Sequence, residues 1–367
     1  MPITSDELRS QWDKPNEVFS VLLILGGDVV GRALAQLAGS GLAPVTFSFA
    51  YSVSALLSAI GENKLMPPDP DCICKVINSR NGNSRENTSW IIGRIIRDHE
   101  FWMDAKVKER TNQIRSEKMV QLGSSKKPTI AGLVVSVYKP DDTKQQKTAT
   151  RDRVYWSGLA SIALQLGISV IPLGLHGDWG VLLITAAGTC LAIATGLLPQ
   201  WRREKWACRE NSKDTYILTR GNGSQHAIVI LGNRHGLNLE DLASGQTNVS
   251  TNATYFTCVA LLILCVLWIL LLITAAGVSE NIWYLFASGV IGIIQNTFAA
   301  GAPRKPSNFG IHLQLEEVIG ETKVMETLYA TETKYPGIGG RLRDEFFPGE
   351  MRPEEIEKWK KLENLQG

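Results

Sequence analysis

The first apolar stretch of the chain carries three residues that could do chemistry together: Asp28, Arg32 and Gln36. A spacing of i, i+4 and i+8 places them on one face of a helix. If that helix crosses a bilayer, Asp28 sits near its middle. A charge there costs about 2.5–3.5 kcal/mol on insertion scales and must turn toward the bundle interior. Two roles fit this spacing. Asp28 and Arg32 form an ion pair that locks the helix to its neighbours, or Asp28 is an intramembrane acid or proton carrier. His176 and Asp178 flank Gly177 in a short turn. They read as a proton-handling pair or, more simply, as a cap and turn with Asp178 at the N-cap of the next helix. Gln165 is a further polar residue in an apolar run, and two amides of the last such run, Gln295 and Asn296, suit hydrogen bonds between helices. Cys72-Ile-Cys74 is half of a metal site, with no second pair at zinc spacing, so no metal is expected. No nucleophile elbow, Walker loop, HExxH motif or paired-aspartate cluster is present, and no cofactor is implied.

The elements that must position these residues are visible in how the apolar residues are distributed. Of 367 residues 44% are hydrophobic and 20% charged, with a net charge of +2. Such averages suit two or three soluble domains, but the apolar residues gather into long blocks almost free of charge. The clearest, "FTCVALLILCVLWILLLITAAG", has no charged residue. As a helix it is long enough to cross a hydrocarbon core of about 30 Å.

Six such runs are expected to span, at residues 18–38, 43–61, 156–174, 180–198, 256–277 and 281–300. They group as three hairpins. The tight turns at 39–42, 176–179 and 278–280 contain no Lys or Arg. The opposite ends carry Lys14, Lys64, Arg151, Arg153, Arg202, Arg203, Lys205, Arg304 and Lys305. That asymmetry places both termini and both long loops in the cytosol. There the sequons at Asn87, Asn222, Asn248 and Asn252 read as chance matches and the six cysteines as reduced thiols. The polar N-terminus lacks the basic region and cleavage site of a signal peptide.

"LLITAAG" occurs at both 182–188 and 271–277. The copies run in opposite directions through their helices, so they read as shared packing vocabulary, small residues where helices approach closely. A weaker alignment places Trp179 on Trp283, Gly188 on Gly292 and Pro199 on Pro303, as if the second and third hairpins were copies.

Between the runs lie pieces of another kind. "SWIIGRIIRDHEFWM" puts Ile91, Ile92, Ile95, Ile96, Trp102 and Met103 on one helical face, with Arg94, Arg97 and Asp98 opposite. This fits either a helix at the membrane interface or one packed on a cytosolic domain. "AGLVVSVYKP" and "IHLQLEEVIG" read as strands. "TYILTRGNGSQHAIVIL" reads as a hairpin with a type I′ turn at Asn222-Gly223. Its Gly-rich centre lacks the Lys-Ser/Thr and following helix of a phosphate loop.

The expected fold is an all-α polytopic membrane bundle of six transmembrane helices in three hairpins, with a small α+β cytosolic domain assembled from loops and tail. The boundaries are an N-terminus at 1–15, hairpins at 16–62, 153–199 and 255–302, cytosolic loops at 63–152 and 200–254, and a tail at 303–367.

The stretches "FSVLLILGGDVVGRALAQLAG", "LLPQWRREKWACR" and "TRGNGSQHAIVILGN" resemble a group of multi-spanning membrane proteins of filamentous fungi, over most of the chain. The resemblance implies fungal origin and polytopic topology and assigns no activity. Two functions follow as expectations. One is an enzyme of fungal specialised metabolism acting on a lipophilic small molecule within the bilayer. By analogy with membrane-bound terpene cyclases, its candidate residues would be Asp28, Arg32, His176 and Asp178. The other is a non-enzymatic channel, transporter or membrane scaffold. The expected partners are membrane lipids, and nothing points to nucleic acid.

Overall fold

The computed structural model describes residues 27–51, 54, 64–123, 126–247, 249–278, 280–349 and 351–366. Pro68–Ala149, Ala207–Thr247 and Pro303–Gly367 form a sheet unit, and the described residues of the remaining stretches form a helical unit.

The helical unit contains α1 (Gly27–Leu37), α2 (Arg153–His176), α3 (Gly180–Gly196), α4 (Tyr255–Ala276) and α5 (Ile282–Gly301). Asp152 caps α2 by accepting from the Tyr155 amide, and Gly177 ends it in a left-handed conformation at φ 71°. Among the described residues three helices, α2, α4 and α5, are long and apolar enough to cross a membrane. A fourth would follow if α3 and the helix Pro199–Lys205, bent by 40°, were one span. The expectation of an all-α bundle with six spanning helices is therefore corrected, both by this count and by a six-stranded sheet elsewhere in the chain.

The second expected span, 43–61, shows the physical reason. Residues 42–48 are not helical, yet residues 43–51 are all buried. The run is apolar because it is covered by helices on its sides, and hydropathy alone cannot tell that from a span. Its backbone groups must then find partners inside the protein. The Gln165 amide donates to the carbonyls of Phe47 and Ser288, both at 2.8 Å. Asn296 donates to the Thr46 carbonyl at 3.2 Å, and the Thr46 hydroxyl returns a bond to the Asn296 amide oxygen at 3.0 Å. Asn296, expected between helices, thus holds a non-helical segment, and Gln165 ties that segment to α5. Gln295 does bridge helices, donating to Ser157 at 2.9 Å.

The repeated heptapeptide is clarified at the same place. At Gly188 a Cβ would overlap the Phe47 ring, and at Gly292 the Phe47 carbonyl. The smallness of Gly188 therefore admits the non-helical segment, not a second helix. Gly277, the matching residue of the other copy, is only the C-cap of α4. The two glycines paired by the weaker alignment both abut Phe47.

Of the first expected span, 18–38, α1 is the described part, and residues 18–26 lie outside the described residues, as do residues 1–15. Lys205, expected as an orientation signal, is buried. It donates to the carbonyls of Ala35 at 2.9 Å and Ala38 at 2.8 Å, the C-terminal end of α1. Gln36 donates in turn to Ala302 at the end of α5.

The sheet unit is built on six strands: β1 (Lys75–Asn78), β2 (Ser84–Glu86), β3 (Val134–Pro140), β4 (Tyr216–Thr219), β5 (His226–Ile230) and β6 (Leu313–Gly320). Their order is β2-β1-β4-β5-β3-β6. Only β3 and β5 pair in parallel; every other pair is antiparallel. The central β4 is buried along its whole length and β3 nearly so, as a strand covered on both faces must be. Edge strand β2, "SRE", is short, charged and exposed, which blunts further pairing. One face packs Val135, Val137, Ile217, Ala227 and Val229 against Leu328, Leu342 and Trp359 of the C-terminal helices. On the other, Val134 joins Val107 and Ile114 of the helix Ala105–Gln121.

The helix Trp90–Arg97 lies in the same unit. Trp90 to Ile96 are all buried, so the packed alternative holds and the interfacial one does not. Arg94, expected on a solvated face, is 0% exposed and is held at 2.9 Å by Asp71 and 3.3 Å by Asp98.

Candidate functional site

The residues with the best chemical spacing in the sequence do not assemble into a site. Asp28 and Arg32 pair at 3.2 Å, with side chains 81% and 46% exposed. Asp28 lies at the start of the described part of α1. Gln36, two turns on, is buried. The i, i+4, i+8 stripe therefore runs from the surface inward, and its charged end faces outward.

His176 is the last residue of α2 and is exposed. Asp178 accepts from the Gly180 amide at 2.9 Å and from the Asn281 side chain at 3.0 Å. The Asn281 amide first, and then the Gly180 amide, hold its carboxyl below the ordinary carboxylate range. A general acid needs the opposite shift. Asp178 thus joins two turns of the helical unit instead of delivering protons.

Cys74 is buried, and burial raises its thiol to about 12, far from a reactive thiolate. Among the described residues no cluster of three or more His, Cys, Asp or Glu is arranged to hold a metal ion.

The structure does bring together residues that sequence reasoning treated as backbone punctuation. In the sheet unit a cleft of about 490 Å³ opens between the end of the Trp90–Arg97 helix and the β4–β5 connection. Its walls include Arg97, His99, Glu100, Arg220, Ser224 and His226. Period-two alternation in β5 accounts for His226. Ala227 and Val229 enter the core, so His226 and Ile228 face the other way. The connection is longer than a two-residue hairpin. Gly221 accepts from the Ser224 amide at 3.1 Å, and Gly223 has φ 86° while Asn222 has no positive φ. That is the type II pattern; type I′ needs both central residues positive, so the expected I′ turn is corrected.

His99 is 4% exposed, and neither ring nitrogen has a hydrogen-bond partner. Its ring meets Trp102 edge-on at 4.9 Å between centroids and His226 at the same distance. Burial first, and then the neighbouring His226 and Arg220, push it down to about 3. Burial also lowers His226, with Arg115 and Arg220 adding to the effect against Glu100. Both imidazoles are therefore neutral at pH 7.

The tautomer of His226 follows from its neighbours. Arg115 at 3.2 Å and the Ala131 amide at 3.1 Å both donate to Gln225 Oε1. That fixes which end of the Gln225 amide carries nitrogen. The nitrogen lies 3.0 Å from His226 Nε2, which must accept. The proton of neutral His226 then sits on Nδ1, a buried donor with no partner.

Arg220 adds a cation. Its guanidinium donates to the Ile96 carbonyl at 3.4 Å and has no carboxylate partner among the described residues. Arg97, on the same wall, is bound to Asp71 and Asp98, both at 2.9 Å. No sequence spacing signals this site, because His99 and His226 come from segments 127 positions apart. The signal available was the strand alternation in "HAIVI", which sets His226 on the face opposite the core.

Comparison of the chain with family models, curated proteins and solved structures gives no match.

Proposed function

We propose that the chain is an integral membrane protein that binds a small ligand in the His99–His226 cleft of its sheet unit, with the helical unit as its anchor. This reading differs both from the intramembrane enzyme and from the channel, transporter or scaffold that the sequence suggests. One observation carries the binding role: a buried imidazole with both nitrogens unpartnered lines a cleft. Buried polar groups are hydrogen-bonded in the great majority of cases, so such exceptions point to a role. Support for the anchor comes from reversed polarity. Leu262, Ile263, Leu270 and Ile273 of α4 face outward, while Gln165, Thr185, Ser288 and Asn296 are buried. A water-soluble unit does the reverse, whereas packing among lipid tails favours polar and small residues inside.

The test is a thermal-shift screen of the full chain in detergent against a small-molecule library. It is repeated on Ser224→Trp, which fills the cleft, and on Asp28→Asn. The expected hits stabilise the wild type and Asp28→Asn and are lost in Ser224→Trp. Hits lost in Asp28→Asn and kept in Ser224→Trp would overturn the reading and return function to the helical unit.

A further inference from the structure

We infer that the chain between Ala38 and Leu65 re-enters the helical unit: it goes in and comes out at one end, and its residues 43–51 plug the centre without crossing. This rests on the helical unit being the membrane anchor and adds how the chain is threaded through it.

Both ends of the stretch are tied to one turn of helix. Lys205 donates to the carbonyls of Ala35 and Ala38. Glu204 beside it accepts from the amides of Leu65 at 2.9 Å and Met66 at 2.8 Å. Both charged residues are buried, in the helix Pro199–Lys205 that follows α3 beyond Gly196. Gly39 lies against the Lys205 side chain. The chain therefore stands at this end of the unit at Ala38 and at the same end again at Leu65.

In between, the described residues move inward along three helices in step. Ala43 meets Gly196 of α3, and Pro44 meets Gly158 near the start of α2. Thr46 exchanges hydrogen bonds with Asn296 of α5. Phe47 reaches Gly188 of α3, Gln165 of α2 and Gly292 of α5. Gly196 to Gly188 is eight residues of α3, about 12 Å along its axis. Ala43 to Phe47 is four residues, which an extended chain covers in about 13 Å. The segment thus runs nearly straight down the helices and stands beside the midpoint of α3 at Phe47. Tyr51 stacks on Trp268 of α4 at 5.3 Å, so α2, α3, α4 and α5 all touch it.

A crossing segment would be placed differently. With residue 61 at the far end of the unit, four residues, about 14 Å of chain at most, could not bring Leu65 back along the roughly 25 Å of α3. Re-entry also accounts for the polar centre. Irregular backbone at membrane depth is tolerated where protein surrounds it, and Gln165 and Asn296 provide bonds that a helix would make internally. The turn 39–42, grouped in the sequence with the turns 176–179 and 278–280, stands at the opposite end from that pair, which Asp178 and Asn281 join.

The experiment places single cysteines in the full chain in sealed vesicles. A membrane-impermeant maleimide is added from one side or from both, and labelled peptides are read by mass spectrometry, so the six native cysteines stay. Ser40, His176 and Arg202 are exposed. Ser40→Cys should label from the side that labels Arg202→Cys, and His176→Cys from the other. If Ser40→Cys labels with His176→Cys instead, the segment crosses, and the inference falls while the anchor stands. If Arg202→Cys and His176→Cys label from one side, α2 and α3 do not cross, and the anchor falls with it. A second measurement needs no membrane. A Cβ at Gly196 would lie 2.9 Å from that of Ala43, close to the roughly 3.8 Å of a disulfide. In detergent, Ala43→Cys with Gly196→Cys should cross-link under copper–phenanthroline and air, and Ala43→Cys with Gly180→Cys should not. A cross-link to Gly180→Cys, or none to Gly196→Cys, would overturn the path.

Discussion

In the helical unit the buried amides are tied to backbone. Gln165 holds two carbonyls at once, and Asn296 exchanges bonds with Thr46. In the sheet unit neither nitrogen of the buried His99 imidazole has a hydrogen-bond partner, and the neighbouring Nδ1–H of His226 has no acceptor. The first arrangement fixes one conformation of a non-helical segment that packing alone would not define. The second leaves hydrogen-bonding capacity unspent in two residues that line a cleft. Unpartnered buried atoms occur in the helical unit too, at Gln165 Oε1 and Ser288 Oγ, so the difference lies in where such groups stand: among packed helices or beside a cleft.

The comparison can be broken most severely at its structural end. Arg94→Met should destabilise the sheet unit by about 3–5 kcal/mol, because it removes the buried one of two shared guanidiniums and leaves two buried carboxylates, Asp71 and Asp98, to Arg97 alone. Chemical denaturation of the full chain measures it, and an unchanged midpoint would show that those carboxylates are solvated. In the helical unit, Gly292→Val drives a side chain into the Phe47 carbonyl. A loss of about 3 kcal/mol or more is expected, seen as reduced yield and a lower melting temperature in detergent. Gln165→Leu is milder, since the Phe47 and Ser288 carbonyls lose one donor while shape is nearly kept. About 1–2 kcal/mol is expected.

The pH dependence of stability sharpens the other end. His99 is pushed down to about 3, from 6.5. The unfolded chain takes up a proton below about pH 6.5 that the folded chain refuses. Stability is therefore whole above that pH and falls as pH drops toward 3, by up to about 1.4 kcal/mol per pH unit from this group. His99→Phe should flatten that part of the profile while lowering nothing at pH 8. The smallest effect belongs to the residue with the best sequence credentials. Asp28→Asn removes one partner of an exposed pair and should change stability by no more than about 0.5 kcal/mol.

Much of the fold could be read from local patterns, and the site could not. The strand-like stretches contain β3, β6 and the β4–β5 hairpin, because period-two alternation and turn residues are local signals. The second apolar run failed because hydropathy registers burial without saying whether lipid or protein provides it. Pro44 and the aromatic and β-branched residues of "APVTFSFAY" were the available hint of non-helical backbone. Arg94 was placed on a solvated face because its partner Asp71 lies 23 residues away, beyond any helical spacing. Asp28 was overvalued for the opposite reason: i, i+4 spacing is legible, but the direction a helix face takes is decided by its neighbours. His99 and His226 lie in "SWIIGRIIRDHEFWM" and "RGNGSQH", each alone in its own segment, so no local spacing signals the pair.

The measurement that bears most directly on the central claim is the protonation state of His226 in the full chain. The chain has five histidines, and ¹⁵N-histidine labelling with a His226→Phe control assigns this one in a two-bond proton–nitrogen spectrum. The prediction is a neutral ring at pH 7 with its proton on Nδ1. A proton on Nε2 would contradict the account, since two donors, Nε2–H and the Gln225 amide, would then face each other at 3.0 Å.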